Sequence, residues 1–293
     1  MSESTERKVL GKSVKYPQYY SPEILEAIPR IFNRKMNGID EQNLPFTGVD
    51  VWHAYEFSFL TNKGLPVTGV LKIIFPAESP YIVESKSFKL YLNSFNMERY
   101  GNSASEGVLI VIEMIKSDLS KILNCNIQIC FFNNHDKNLP FDFHDFTILE
   151  NEACSETISF TTYNETPDLL LLSDNPLNEI KVATNLLRSS CRITHQPDWG
   201  SAFIFIKGKK IPSNQGLLKY LVSIRNENHF HEEICELIFF RLKTIFEPEA
   251  LMVTCIYTRR GGIDICPIRV SNEVLLPENL SCCNQLSSKL LRQ

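Results

Sequence analysis

Two runs rich in aromatic and β-branched residues, Val51 to Leu60 and Leu65 to Phe75, are separated only by Thr61-Asn62-Lys63-Gly64. That connector has the composition of a hairpin turn. Strands joined so tightly must pair antiparallel, because a parallel return needs a crossover of about a dozen residues or more. The next segments extend this sheet. Tyr81 to Ser94 reads as a third extended segment, with Glu84, Lys86, Phe88 and Leu90 on one face and Ser85, Ser87, Lys89 and Tyr91 on the other. Ser103-Ala104-Ser105-Glu106 fits a capping box, and Val108, Ile112, Ile115, Leu119 and Ile122 recur at helical spacing. Ile127 to Phe132 returns to strand. Three strands, a helix and a strand predict an α+β unit built on an antiparallel sheet.

The flanking segments are less regular. Residues 1–50 read as an irregular lead-in, with a short helix beginning at Ser21-Pro22-Glu23. Residues 134–180 accumulate Asn, Asp, Glu, Thr and Pro without sustained periodicity, which predicts a connecting region. Order resumes at Lys181 to Leu187. Ser201 to Lys207 is a strand, Ser213 caps a helix carrying Leu217, Leu218, Leu221 and Ile224, and Phe230 to Ile245 marks another. Leu251 to Tyr257 and Ile263 to Val270 are extended. The two halves share an order of elements but no residue-level repeat.

Composition bounds the function. With 293 residues, 43% of them hydrophobic, the chain can bury a sizeable core, and its net charge of −4 gives no general attraction to nucleic acid or anionic membrane. The nine cysteines are irregularly spaced and include no Cys-x-x-Cys pair. A zinc ribbon or a thioredoxin-like centre is therefore not expected. The polar N-terminus and the lack of long apolar runs predict a cytoplasmic protein with reduced thiols.

Four stretches could carry chemistry. In Ser190-Cys191 through Pro197-Asp198-Trp199-Gly200, Pro197 favours a turn that can bring Asp198 back towards Cys191. A thiol beside a proton-donating acid can add to an electrophilic carbon. By spacing alone, a buried core cysteine next to an ordinary Asp-Trp-Gly turn accounts for the same residues. Glu84 to Tyr91 offers a carboxylate to a guanine-like N–H edge, or is a solvated strand face. His231 and Glu232 fall at a helix N-terminus, where the macrodipole favours a carboxylate. They form either the wall of a heterocycle pocket or a common acidic first turn. His-x-His-Glu lacks the i, i+4 histidines of a metalloprotease helix, and no metal is expected. Arg259-Arg260-Gly261-Gly262 combines phosphate-matching forks with glycines that permit close approach, or is a plain turn. The sequence contains neither a Gly-x-Gly-x-x-Gly fingerprint nor a P-loop, so any dinucleotide is held without a Rossmann site.

Together these stretches resemble the long, two-module form of the 7-cyano-7-deazaguanine reductases. The resemblance rests on Glu84-Ser-Lys-Ser-Phe-Lys-Leu-Tyr91, Cys191 through Gly200, Phe230-His231-Glu232, and Thr258-Arg-Arg-Gly-Gly262 with Asp264. It implies tandem tunnelling-fold modules, antiparallel sheets with helices on one face, spanning residues 1–135 and 181–293 and joined by 136–180. It implies NADPH as cofactor, a deazapurine nitrile as substrate, a homodimer, and no direct contact with nucleic acid or membrane. Cys191 would form a covalent thioimide and Asp198 would supply the proton. Val83, Glu84, Ser85, His231 and Glu232 would bind the substrate, and Ser85, Lys86, Arg260 and Gly261 the cofactor. A cysteine-dependent nitrile hydrolase and a non-catalytic purine-binding protein are the alternatives.

Overall fold

The computed structural model describes residue 17 and residues 19–133, 139–152, 158–174 and 178–293. The polar N-terminal octapeptide, Cys154 and the expected module boundary at 135/136 lie outside the described residues. A short strand β1 (Ala27–Pro29) and helix α1 (Ile31–Met36) lead into the hairpin β2 (Thr47–Leu60) and β3 (Pro66–Pro76). Strand β4 (Tyr81–Val83), helices α2 (Ser85–Asn93) and α3 (Ala104–Leu123) and strand β5 (Gln128–Phe132) come next. After the two-residue β6 (Thr147–Ile148), the second half comprises β7 (Glu179–Ser190), β8 (Pro197–Lys207), α4 (Asn214–Ser223), α5 (His231–Phe246), β9 (Ala250–Tyr257) and β10 (Ile263–Val270). A last short helix, α6, spans Glu278–Ser281.

Eight strands form one sheet in the order β5-β3-β2-β10-β9-β8-β7-β6, antiparallel throughout except for β6 on β7. The halves meet where β10 pairs β2, from Ile263 opposite Ala54 to Val270 opposite Thr47. Both hairpins carry a register shift at the same stage, after Ala54 in β2 and after Thr184 in β7. Each then resumes opposite a glycine, Phe57 on Gly69 and Leu187 on Gly200. The α+β expectation, helices against one face of an antiparallel sheet, therefore holds.

One prediction fails. Tyr81 to Ser94 is strand only as far as Val83, and the rest is α2. Glu84 takes the N-cap position, and one of its carboxylate oxygens accepts the Ser87 N–H at 2.7 Å. Phe88, Tyr91, Leu92 and Phe95 repeat at i, i+3, i+4 and i+7, and all four are buried. This helical stripe outweighs the alternation of Glu84 and Lys86 with Ser85 and Ser87. The residues at 22–24 form one 3₁₀ turn with no side-chain cap from Ser21. Ser213 does cap α4, accepting the Gly216 N–H at 3.1 Å.

Alternation along each strand divides the interior. Leu71, Ile73 and Phe75 of β3 face the helices, as do Ala202, Ile204 and Ile206 of β8 and Val253 and Cys255 of β9. Val51, Ile74, Phe203, Met252, Cys266 and Ile268 face the other side. There Phe143 and Leu280, from the connecting region and the C-terminal segment, cover them. Those two coverings are stitched together, Leu139 N–H to Leu286 O at 2.9 Å and Ser288 N–H to Leu139 O at 2.8 Å. Buried Lys72 anchors the C-terminal segment by donating to the carbonyls of Asn279, Cys282 and Gln285 at 3.0, 2.7 and 2.7 Å.

At the seam on the helix side, Arg269 joins Asp50 at 2.7 Å and Glu236 at 2.9 Å, while Arg34 reaches Glu236 at 2.8 Å. Burial alone would raise the Asp50 carboxyl, but Arg269 and Arg30 outweigh it and hold Asp50 ionised.

Candidate active site

A cavity of about 170 Å³ opens where the two halves meet. Its wall takes Val83, Ser85 and Lys86 from the β4–α2 junction, Cys191 from the β7–β8 turn, Asp198 from the start of β8, His231 and Glu232 from the start of α5, and Arg260 and Gly261 from the β9–β10 turn. Thus nine of the ten residues singled out in the sequence converge on one space. Glu84 is the exception. It is buried immediately behind the wall, where it holds the first turn of α2.

The turn bearing the thiol is tightly closed. Cys191 N–H donates to Gln196 O and His195 N–H to Cys191 O, both at 2.8 Å. His195 takes a positive φ of 55°, and its ring lies 2.8 Å from Asn228 Oδ1. Ser190 N–H donates to Glu227 O at 2.8 Å, and His229 N–H to Ser190 O at 3.1 Å, so the turn is tied to the segment entering α5. Cys191 keeps 7% of its surface accessible, and that surface faces the cavity rather than packed hydrocarbon. Lys86 Nζ stands 3.8 Å from the Cys191 sulfur.

Asp198 is nearly buried. Burial raises its carboxyl, but the neighbouring His231 ring, together with Arg260, more than reverses this, and its pKa falls below the ordinary aspartate value. Arg260 forks between Asp198 and Gln196, meeting the latter at 2.6 Å, and His231 Nε2 is 3.6 Å from Asp198 Oδ1. The His231 ring lies against Tyr257, centroids 4.0 Å apart. Glu232 behaves oppositely. Burial, then the nearby Asp50 carboxylate, push it up to about 7. The site thus holds one carboxylate that is ionised at rest and one that titrates near neutrality.

Three cations, Lys86, Lys89 and Arg260, line one side together with Gly261. Gly261 has a positive φ of 56°, and a Cβ there would come within 3.0 Å of the Lys89 side chain. That cation set and that unobstructed backbone fit the phosphates of a dinucleotide cofactor. Lys89 escaped the sequence reading because a strand would have turned it away from Lys86, whereas on a helix i and i+3 share a face. Trp52, His229 and Phe230 were likewise missed. Only the pairing of β2 with β10 brings Trp52 to the cavity.

On the opposite face of the sheet, His53, Asp264 and Cys266 offer ligand atoms within 4.8 Å of one another. Lys289 Nζ already lies 3.3 Å from His53 Nδ1 and 3.5 Å from Asp264 Oδ2. The positive charge that a metal would bring is therefore supplied by the chain itself.

Residues 16–131 match the family model described as "Nitrile reductase, 7-cyano-7-deazaguanine-reductase N-term", and residues 197–274 match one described as "QueF-like protein". The chain is 40% identical over 275 residues to a protein of Coxiella burnetii (strain Dugway 5J108-111), covering 94% of this chain and 95% of that one. It is 41% identical over 266 residues to one of Rickettsia felis (90% and 93% covered) and 40% identical over 270 residues to one of Dechloromonas aromatica (92% of each). All three relatives are named NADPH-dependent 7-cyano-7-deazaguanine reductase. An archaeosine synthase QueF-Like structure in the apo form aligns over 33% of this chain and 95% of its own at 17% identity. Its TM-score is 0.29, and nothing is built on it.

Proposed function

The chain belongs to the 7-cyano-7-deazaguanine reductase family, and from that premise we propose that it reduces the nitrile of 7-cyano-7-deazaguanine to the primary amine of 7-aminomethyl-7-deazaguanine, with NADPH, in queuosine tRNA-modification biosynthesis. The observation that carries this reading is one cavity walled by Cys191, Asp198, Glu232 and the cations Lys86 and Arg260. It combines a nucleophile, a proton carrier, an acceptor for a purine-like edge and a phosphate cradle.

In the mechanism we infer, the Cys191 sulfur attacks the nitrile carbon. An S–C bond forms as one C–N π bond breaks, and the thiol proton ends on nitrogen. Asp198, ionised at rest, takes that proton and passes it on, so addition to the thioimide is neutral overall. Lys86 stabilises the sulfur while it carries negative charge. Bound NADPH supplies hydride to the carbon at each of two reductions, four electrons in all. Between them the C–S pair returns to Cys191, leaving an imine, and each reduction takes up one proton, for which Asp198 is the placed donor. Glu232 accepts from the heterocycle's N–H edge beside His231, Val83 and Ser85, while Glu84 fixes the helix that carries Ser85 and Lys86. Ser85, Lys86, Arg260 and Gly261 hold the cofactor. Arg260 must then share itself between Asp198 and a phosphate.

The same reading extends to assembly. Residues 1–135 and 181–293 would be two tunnelling-fold modules joined by 136–180, working as a homodimer in the cytoplasm. The order hairpin, two helices, returning strand, present in both halves, supports it. Among the described residues no helix is long and apolar enough to cross a membrane.

The deciding experiment mixes protein and nitrile without NADPH and measures intact mass. A mass gain equal to the nitrile, absent in Cys191→Ala, is expected, and an adduct surviving that substitution assigns the wrong thiol. Adding NADPH should consume it and yield the amine. Amide or acid formed without NADPH oxidation would indicate a hydrolase, and tight binding without turnover a purine-binding protein.

A further inference from the structure

Glu232 is the only group in the proposed reading whose useful form, the carboxylate, is opposed by its surroundings. It is buried, and Asp50 of β2 faces it with a second negative charge. Favouring the carboxylate are His231 on its own helix and Arg30, just before α1. Arg30 is bound by Asp50 and Ser79. Glu236, one turn along, is held by Arg34 and Arg269. Lys86 of α2, Asp198 of β8 and Arg260 of the β9–β10 turn face the same cavity.

One direct contact to the carboxylate comes from an uncharged donor. Trp52 Nε1 donates to Glu232 Oε1 at 3.2 Å. Trp52 is 1% exposed and lines the cavity. Its ring is packed edge-on by Phe88 of α2, centroids 5.6 Å apart at 77°, and by a tilted Phe75 of β3 at 6.1 Å. An indole has a single N–H and no acceptor. Fixed in this way, it can bind only one of the two carboxylate oxygens and leaves the other for a second partner.

We propose that Trp52 is a positioning residue of the nitrile site: its indole N–H holds Oε1 of Glu232, so that Oε2 is presented to the N–H edge of the bound heterocycle. This rests on the function proposed above. The hydrogen bond favours the carboxylate, so it also counteracts Asp50. Because β2 belongs to the first half and α5 to the second, Trp52 carries the alignment of one half into the substrate wall of the other.

Two arms test it. In ligand-free protein, the carbonyl band of a protonated carboxyl that disappears in Glu232→Gln is titrated by infrared difference spectroscopy. Its midpoint, near neutrality in the parent, should rise in Trp52→Phe, which keeps the aromatic packing and removes the donor. An unchanged midpoint overturns the proposal. This arm requires no catalysis, so it decides the matter even if the protein fails to reduce the nitrile. In the enzyme, Trp52→Phe should raise KM for the nitrile about tenfold at pH 7 with kcat little changed. The acidic limb of kcat/KM should move to higher pH by the same shift. In a Glu232→Gln background the same substitution should add almost nothing. Additive effects overturn the proposal. Benzothienylalanine at position 52, with sulfur in place of the N–H, repeats both arms if Trp52→Phe folds poorly, and must behave alike.

Discussion

At the scale of single residues, Asp198 illustrates how environment assigns a role. A carboxyl as buried as this one would ordinarily resist ionisation. Here His231 and Arg260 bring it below its usual range, so the cavity that Cys191 lines holds an ionised carboxylate at rest rather than an acid. In the proposed mechanism its acidity appears only after it has taken the thiol's proton. Asp198→Asn keeps the shape and removes this capacity. Covalent addition should slow by at least about a hundredfold, the scale of a lost general acid–base group, while nitrile binding persists. Stopped-flow measurement of adduct formation checks it, and wild-type rates would remove Asp198 from the proton path. The sequence supplied the pair Cys191 and Asp198 by spacing across Pro197. It could not supply Arg260, which is remote in the chain and arrives by way of the β9–β10 turn.

At the scale of elements, α2 and α4 show when local signals suffice. Ser213 precedes Leu217, Leu218, Leu221 and Ile224 at helical spacing, and nothing competed with its reading as a cap. Ser213→Ala removes the acceptor for Gly216 N–H and should lower stability by about 1 kcal/mol, read from the urea midpoint with catalysis intact. A midpoint unchanged within error would make this cap energetically silent. In α2 two periodicities overlapped. Glu84 and Lys86 alternate with Ser85 and Ser87, the apolar residues recur every third or fourth position, and burial of Phe88, Tyr91 and Leu92 settles the conflict. That choice also decides function, because the helix turns Ser85, Lys86 and Lys89 into a common wall while Glu84 becomes its cap.

At the scale of the whole molecule, the β2–β10 pairing makes one sheet from two halves, and both faces of the seam are polar inside. On the face away from the cavity, His53 is fully buried. Desolvation is the main reason its pKa falls from 6.5 to about 4, despite the neighbouring Asp264. The folded state therefore keeps His53 neutral where an unfolded chain would already be protonated. Stability from this site is complete above pH 6.5 and is lost as pH falls towards 4. His53→Gln should remove that component, so the drop in urea midpoint between pH 7 and pH 5 should be smaller in the variant. An equal drop would place the acid sensitivity elsewhere.

The sequence alone determined the β2–β3 hairpin, the caps of α3 and α4 and the four stretches singled out for chemistry. These are set by neighbours within a few positions: turn residues, period-two or period-three-to-four burial, and a side-chain oxygen three residues before an N–H. Tertiary structure decided which of those stretches share a cavity, that Trp52 and Lys89 join them, that Glu84 stands behind the wall, and how each carboxylate titrates. Proton affinity and contact depend on burial and on charges brought from distant positions by strand pairing, and no short window of sequence contains them.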